Sequence, residues 1–256
     1  MNRFFAWLGK GSINIIHEMG LMMLLFLEAC SWLVRPPWRV RLFLKQMEFV
    51  GVNSMFVVPL TALFTGMVLA LQTYHAFRMF SAESLVGATV ALSMTRELGP
   101  VITALMVTGR AGSAIAAEIG TMRVTEQVDA LTVMAINPVQ YLVLPRLVAG
   151  LIMLPLLTAV ADFIGIVGGY LVGVKLLGIN SGIFMNKIYE LVELDDLYNG
   201  LTKAAVFGVI LALVGCYQGF YTTGGAEGVG RATTNAVVLA SVLILMSDYV
   251  LTALMM

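Results

Sequence analysis

SLVGATVALSMTRELGPVITALMVTGRAGSAIAAEIGTMRVTEQVDAL, residues Ser84–Leu131, decides how this chain is read. It begins as an apolar run long enough to cross a bilayer, yet Arg96 and Glu97 stand side by side near its middle. A charged side chain at a membrane helix centre costs ~2.5–3.5 kcal/mol on insertion scales, so a pair there needs partners or a task. Gly99-Pro100 follows, then a small-residue patch from Gly109 to Ala117, then the polar Thr125–Leu131 segment, patterned as a short helix outside the membrane. Consecutive helical residues point about 100° apart, so Arg96 and Glu97 cannot pair well with each other. Lys203, Asp162 and Asp248, in other apolar runs, are the available partners.

Composition agrees. The 256 residues are 59% hydrophobic and 12% charged, with a mean hydropathy of +0.92, against about 45–50% apolar and ~25% charged in soluble domains. A spanning helix takes about 20 apolar residues. Lipid-exposed backbone must satisfy its own hydrogen bonds, so one all-helical integral membrane domain is expected. Zero formal net charge gives no electrostatic case for nucleic acid. Cys30 and Cys216 lie in apolar runs without metal-ligand spacing and read as buried structural thiols.

In chain order, residues 1–20 predict an interfacial amphipathic helix, with Phe4, Phe5, Leu8, Ile15, Ile16 and Met19 on one face and breaks at Gly9 and Gly11. No small-residue cleavage site follows a clean apolar core, which predicts no cleaved signal peptide. Gly20–Val34 carries Glu28 and is short for a span, which suits a shallow elbow. A basic cluster with Trp38 closes it. Five spans are expected: about Val50–Tyr74, Leu85–Val107, Tyr141–Leu177 (interrupted by Pro145, Pro155 and Gly168-Gly169), Leu201–Phe220 and Asn235–Met256. Residues 1–45 form the amphipathic and elbow region and 46–256 the transmembrane domain. Asn180–Asn199 reads as a hydrophilic loop and Thr222–Thr234 as a Gly-rich turn. With the N-terminus cytoplasmic, ten Lys and Arg fall on that side and four on the other, as the positive-inside rule requires. The Glu126 segment is then cytoplasmic and the acidic loop external.

Two readings of Arg96 and Glu97 are open: a charge network locking helices, or a polar patch in a substrate cavity. Val68, Leu69 and Leu71 offer apolar walls for acyl chains beside them, and Tyr74 is either a cavity residue or an interfacial aromatic. Gly112-xxx-Ala116 permits close helix approach, within one subunit or between two. In the segment Arg123–Met134, Val124, Val128 and Leu131 form a short apolar stripe beside Glu126 and Asp129, with Gln127 between them and Thr125 placed to cap the helix start. No HExxH zinc motif and no nucleophile elbow is present. Gly224–Gly230 lacks the Lys-Ser/Thr of a phosphate loop, so no ATP site is visible.

The runs RELGPV (96–101), GRAGS (109–113) and AEIGTMRVTEQ (117–127) resemble the MlaE family, permease subunits of bacterial ABC transporters that move phospholipids or related lipids. Gly66-Met67-Val68-Leu69, Gly168-Gly169, Arg231–Thr234 and the closing Asp248–Met255 are similar too, so the resemblance covers Val50–Met256. It implies a homodimer of non-catalytic five-span subunits in the bacterial inner membrane. Its partners would be ABC ATPase subunits that carry ATP and Mg, a periplasmic MCE-domain ring and a STAS-domain protein. It also implies a lipid cavity at Arg96, Glu97, Lys203 and Asp248, and a coupling helix between the second and third spans at Arg123–Leu131. Two other classes fit the charges: an ion-coupled carrier using Arg96, Glu97, Asp162 and Asp248 as a relay, and a structural membrane anchor. Co-purification of an ATPase separates the permease from both.

Overall fold

A computed structural model describes residues 2–33, 35–36 and 39–255. Among these every regular element is helical. Six helical stretches are long and apolar enough to cross a membrane: Ile16–Leu33, Val40–Arg78, Glu83–Val124, Val139–Leu176, Leu194–Phe220 and Gly225–Met255. The chain is a multi-pass, all-helical membrane protein.

Helix α1 runs unbroken over Asn2–Leu33. The breaks expected at Gly9 and Gly11 do not occur, because a single Gly costs a helix only about 1 kcal/mol and does not clash as Pro does. The face assigned to Phe4, Phe5, Leu8 and Ile15, and Trp38 with it, lies outside the described side chains. Within α1, Met22, Leu25 and Ala29 form one narrow buried stripe. Glu28, which seemed to interrupt the run, accepts a hydrogen bond from Asn137 Nδ2 at 3.3 Å.

Helix α2 (Val40–Val50) meets α3 (Val57–Arg78) through a tight turn at Val52–Ser54. The break strands carbonyls at the end of α2, and Arg110 collects them. Its Nη2 donates to Phe49 O and to Val50 O, and its Nε to Ser54 Oγ at 2.9 Å. The next path comprises α4 (Val86–Ser93), α5 (Gly99–Val107) and α6 (Ser113–Val124), joined without interruption by wide π-helical turns at Met94–Leu98 and Thr108–Gly112. After the short α7 (Gln127–Val133), a further π turn (Val139–Val143) leads into α8 (Leu144–Tyr170), which passes Pro145, Pro155 and Gly168-Gly169 without a break. Prolines are tolerated in membrane helices because neighbouring groups take up the freed carbonyls.

The hydrophilic Asn180–Asn199 stretch is not a loop. It forms α9 (Ser181–Leu191), capped by Asn180, whose side chain accepts from Gly182 N at 2.9 Å and Ile183 N at 3.3 Å. It also supplies the first turn of α10 (Leu194–Phe220), capped by Glu193. The buried Phe184 fastens α9 down, edge-on to Tyr170 at 5.6 Å. The Gly-rich turn expected over Thr222–Thr234 is likewise shorter. Gly224 and Gly225 take positive φ (91° and 65°), and α11 (Gly225–Met255) starts there.

Of the spanning stretches, α10 is the most enclosed, between α8, α11 and α6. Glycines set these contacts. A Cβ on Gly150 would lie 2.3 Å from Gly208 O, one on Gly208 2.1 Å from Gly150 O, and one on Gly66 1.9 Å from Gly165 O. Backbone therefore meets backbone where α8 crosses α10 and α3. The small-residue patch is resolved in the same way. Gly215 and Gly219 of α10 face Gly112 O and Ala116 O, so Gly112 and Ala116 pack inside one subunit, while Gly109 has nothing within 4 Å of its missing Cβ.

Candidate functional site: a charged cleft beside an apolar groove

The π turn at Met94–Leu98 carries Arg96 and Glu97 against the first half of α10. Gly200 makes the approach possible, since a Cβ there would stand 2.0 Å from Thr95 O. Asp196 and Lys203 lie seven residues apart on α10, two turns along one face. Arg96 reaches the first of these and Glu97 the second. Arg96 Nε and Nη2 each lie 2.5 Å from Asp196 Oδ1, while Asp196 Oδ2 accepts from Glu193 N at 2.9 Å and completes the capping box. Asp196 is thereby a cap and a counter-ion at once, 4% exposed, whereas the Arg96 side chain is 47% exposed.

Lys203 is the hub. Its ammonium, 3% exposed, donates to Glu97 Oε2 at 2.7 Å, Thr252 Oγ1 at 2.7 Å and Arg96 O at 3.2 Å. Three N–H groups thus meet three acceptors. Asp248 Oδ1 stands 3.2 Å from the same nitrogen, as an ion pair outside hydrogen-bond geometry. Thr252, one turn beyond Asp248, lies with its hydroxyl 3.2 Å from Glu97 Oε1 and 2.8 Å from Asp248 O. Arg96, Glu97, Asn199, Lys203, Thr252 and Met255 line an open polar cleft of about 240 Å³.

On its other flank the π turn presents Leu98 to a groove of about 350 Å³ shared with Phe64, Thr65, Val68, Leu69 and Gln72. Val68 and Leu69 are therefore groove residues. Leu71 and Tyr74 are not among those lining either cleft. Both are half-buried against the core, and Tyr74 meets His75 edge-on at 6.1 Å. Asp162 is apart from the cleft as well. It is buried under Gly99, and neither carboxylate oxygen has a hydrogen-bond partner among the described residues. Among the described residues Asp162 makes no hydrogen bond or ion pair with Arg96, Glu97 or Asp248.

Sequence reading missed Asp196, Asn199, Thr252, Phe64, Gln72 and Leu98. The Glu193-x-x-Asp196 spacing was the signal for Asp196, and the one-turn offset from Asp248 the signal for Thr252. Arg146 escaped it too. This 2%-exposed guanidinium donates to Leu142 O and to Glu118 Oε2, both at 2.7 Å, and pins α8 to α6.

At the opposite end of α6, the chain turns through Thr125 and Glu126, with Glu126 in the left-handed region (φ 61°). Thr125 does not cap α7. Its hydroxyl bonds back to Thr121 O at 2.8 Å and closes α6. Arg123 pairs with Asp129 at 2.5 Å across the turn. Val128 and Leu131 are buried with Leu142, beside Met122, Ile136, Tyr141 and Phe220. The expected stripe thus faces this chain's own body, and Val124 stands apart from it, exposed. What α7 presents outward is Glu126, Gln127, Val133 (89% exposed) and Met134 (61%).

Among the described residues no group of His, Cys, Asp and Glu is arranged to hold a metal ion. Residues 43–254 match the family model described as Permease MlaE. A "Probable ABC transporter permease protein" of Rickettsia felis is 49% identical over 246 residues, 96% of this chain and 95% of that one. The "Intermembrane phospholipid transport system permease protein MlaE" of Haemophilus influenzae is 41% identical over 253 residues, 98% and 97% of the two chains. "Protein TRIGALACTOSYLDIACYLGLYCEROL 1, chloroplastic" of Arabidopsis thaliana is 40% identical over 210 residues, 82% of this chain and 60% of the plant protein. An all-helical body of apolar spans matched over this length leaves one assignment: the chain belongs to the MlaE permease family of ABC transporter permeases.

Proposed function

We propose that this chain is the membrane subunit of an ABC transporter for phospholipids or similar lipids in a bacterial inner membrane. The observation that carries the reading is the pair of clefts flanking one π turn, a charged one at Arg96, Glu97 and Lys203 and an apolar one at Val68, Leu69 and Leu98. Together they match an amphiphile with an anionic head and acyl tails. The half-exposed Arg96 receives the headgroup phosphate, with the direction of its guanidinium fixed by Asp196. Lys203, saturated by its own acceptors, holds Glu97 in place. The phospholipid named for the Haemophilus relative agrees with this chemistry.

Two copies face each other across the clefts. The apolar face of α11 formed by Val242, Leu245, Met246, Tyr249 and Val250 is exposed in the single chain, and a second copy with enclosed lipid is its natural cover. The permease itself is non-catalytic. ATP and Mg belong to partner ATPase subunits that dock on the cytoplasmic, Arg-rich side, where the segment Arg123–Leu131 transmits hydrolysis to α6. A periplasmic MCE-domain ring sits on the opposite face, and a STAS-domain protein joins the ATPase. The N-terminus is cytoplasmic, with the first part of α1 along the membrane interface.

The test is ATP-driven movement of a fluorescent phospholipid in proteoliposomes containing the permease and its ATPase. Arg96→Ala and Glu97→Ala are expected to abolish transfer while ATPase co-purification persists. Normal transfer by both variants overturns the assignment of the cleft.

A further inference from the structure

A second groove, which shares no residue with the transport clefts, lies between α2 and α8. It encloses about 360 Å³ and is walled by apolar side chains, among them Leu33, Val40, Leu44, Met47, Val148 and Ile152. Phe43 and Leu144 complete its walls and also line a small recess formed by Arg39, Gln140 and Tyr141, so the apolar groove passes directly into a polar rim. Arg39 is held there with its guanidinium carbon 5.0 Å above the Tyr141 ring. Arg41 and Lys45 follow on α2, both exposed, and none of the three cations has a salt-bridge partner among the described residues. Glu48 is the one acidic residue on α2.

We propose that this groove binds an anionic glycerophospholipid as a resident, non-transported ligand. One acyl chain lies between α2 and α8, and the headgroup phosphate rests against Arg39 and Arg41. Charge complementarity selects the occupant. An apolar slot whose rim holds Arg39, with Arg41 and Lys45 exposed further along the same helix, suits a tail joined to an anion, and basic pockets between membrane helices recognise such headgroups. A zwitterionic lipid fills the slot equally well but gives the cations less, because its own ammonium competes for the phosphate. The occupant ties α2 to α8 on the side where the protein itself leaves their apolar faces apart.

All three tryptophans, Trp7, Trp32 and Trp38, precede α2, and Trp32 adjoins Leu33 at the groove. The full-length permease with Trp7→Phe and Trp38→Phe, reconstituted into vesicles, therefore reports local lipid through Trp32 alone. Quenching by brominated-chain phosphatidylglycerol is compared with that by brominated-chain phosphatidylcholine at equal mole fraction. The expected result is stronger quenching by phosphatidylglycerol, an excess lost in Arg39→Gln/Arg41→Gln, retained in Arg39→Lys/Arg41→Lys and reduced in Ile152→Phe, which fills the slot from an already exposed position. Equal quenching by the two lipids in the unsubstituted groove overturns the proposal, as does an excess that survives Arg39→Gln/Arg41→Gln. An excess indifferent to Ile152→Phe refutes seating of the chain. None of these outcomes depends on transport.

Discussion

Asp162 Oδ1 occupies the place where a Cβ on Gly99 would sit, 1.7 Å from that position. The carboxylate of α8 thus lies directly on the backbone of α5, one residue after the π turn that carries the charged cleft. Gly99→Ala should force α5 and α8 apart and destabilise the protein by about 1–3 kcal/mol, as overpacking does. Asp162→Ala should absorb that strain, so the double variant should lose less than the sum of the two single changes. Thermal unfolding of the four proteins in one detergent checks the cycle. Strict additivity removes the contact from the account.

Lys203 serves two carboxylates, so its loss should exceed the loss of either partner. Breaking a buried pair by deleting one member costs about 3–5 kcal/mol. Lys203→Met leaves Glu97 and Asp248 facing each other, but both are partly exposed and solvent-screened, so its cost belongs at or below the lower end of that range. Glu97→Gln keeps a hydrogen-bond acceptor for the ammonium and starts from a partly exposed side chain, so its cost should be well below that of Lys203→Met. Adding Glu97→Gln to Lys203→Met should recover part of the lost stability, measured as a rise in Tm over Lys203→Met alone.

Asp196 has two tasks that conservative substitution separates. Asp196→Asn can retain its oxygen for Glu193 N, but its NH2 group then faces Arg96, which loses both the charge and the acceptor there. Asp196→Ala forfeits the cap as well and should cost about 1 kcal/mol more, the usual value of a helix cap. The readout is Tm, with lipid transfer measured in parallel. Transfer should fall in both variants, because Arg96 loses its orientation in each.

The short helix α7 divides into a buried and an exposed face, and the two should respond differently. Leu131→Asp places a charge among Leu142, Ile136 and Phe220, and should lower the Tm of the permease itself by several degrees. Val133→Asp alters a side chain that is 89% exposed and should leave Tm nearly unchanged while reducing recovery of the ATPase on co-purification. Full recovery with Val133→Asp takes this face out of the contact.

The spans and the charged residues were legible because membrane solvation leaves a strong imprint: long apolar runs, and rare charges inside them. Lys203 and Asp248 could be named as partners because few ionisable residues occur in those runs. The partner of Arg96 could not, because Asp196 lies in a hydrophilic stretch whose helicity comes from caps and from Phe184 rather than from apolar periodicity. The π turns left no mark either. A single added residue per turn leaves composition untouched, yet it decides which cleft receives Leu98 and which receives Glu97. The burial of Val128 and Leu131 shows a further limit, since an apolar stripe declares that a helix must be covered and is silent about what covers it.

Where α8 crosses α10 and α3, the specifying feature is the lack of any side chain at Gly150, Gly208, Gly66 and Gly165. A leucine position can drift toward smaller or larger residues, and a neighbour can compensate in either direction. At all four every replacement adds volume, and at Gly66, Gly150 and Gly208 the nearest atoms opposite are carbonyls that no second mutation can shrink. Change there is one-sided and cannot be repaired locally. Over many generations the lineage can revise the walls of its clefts while the crossings beneath them remain fixed.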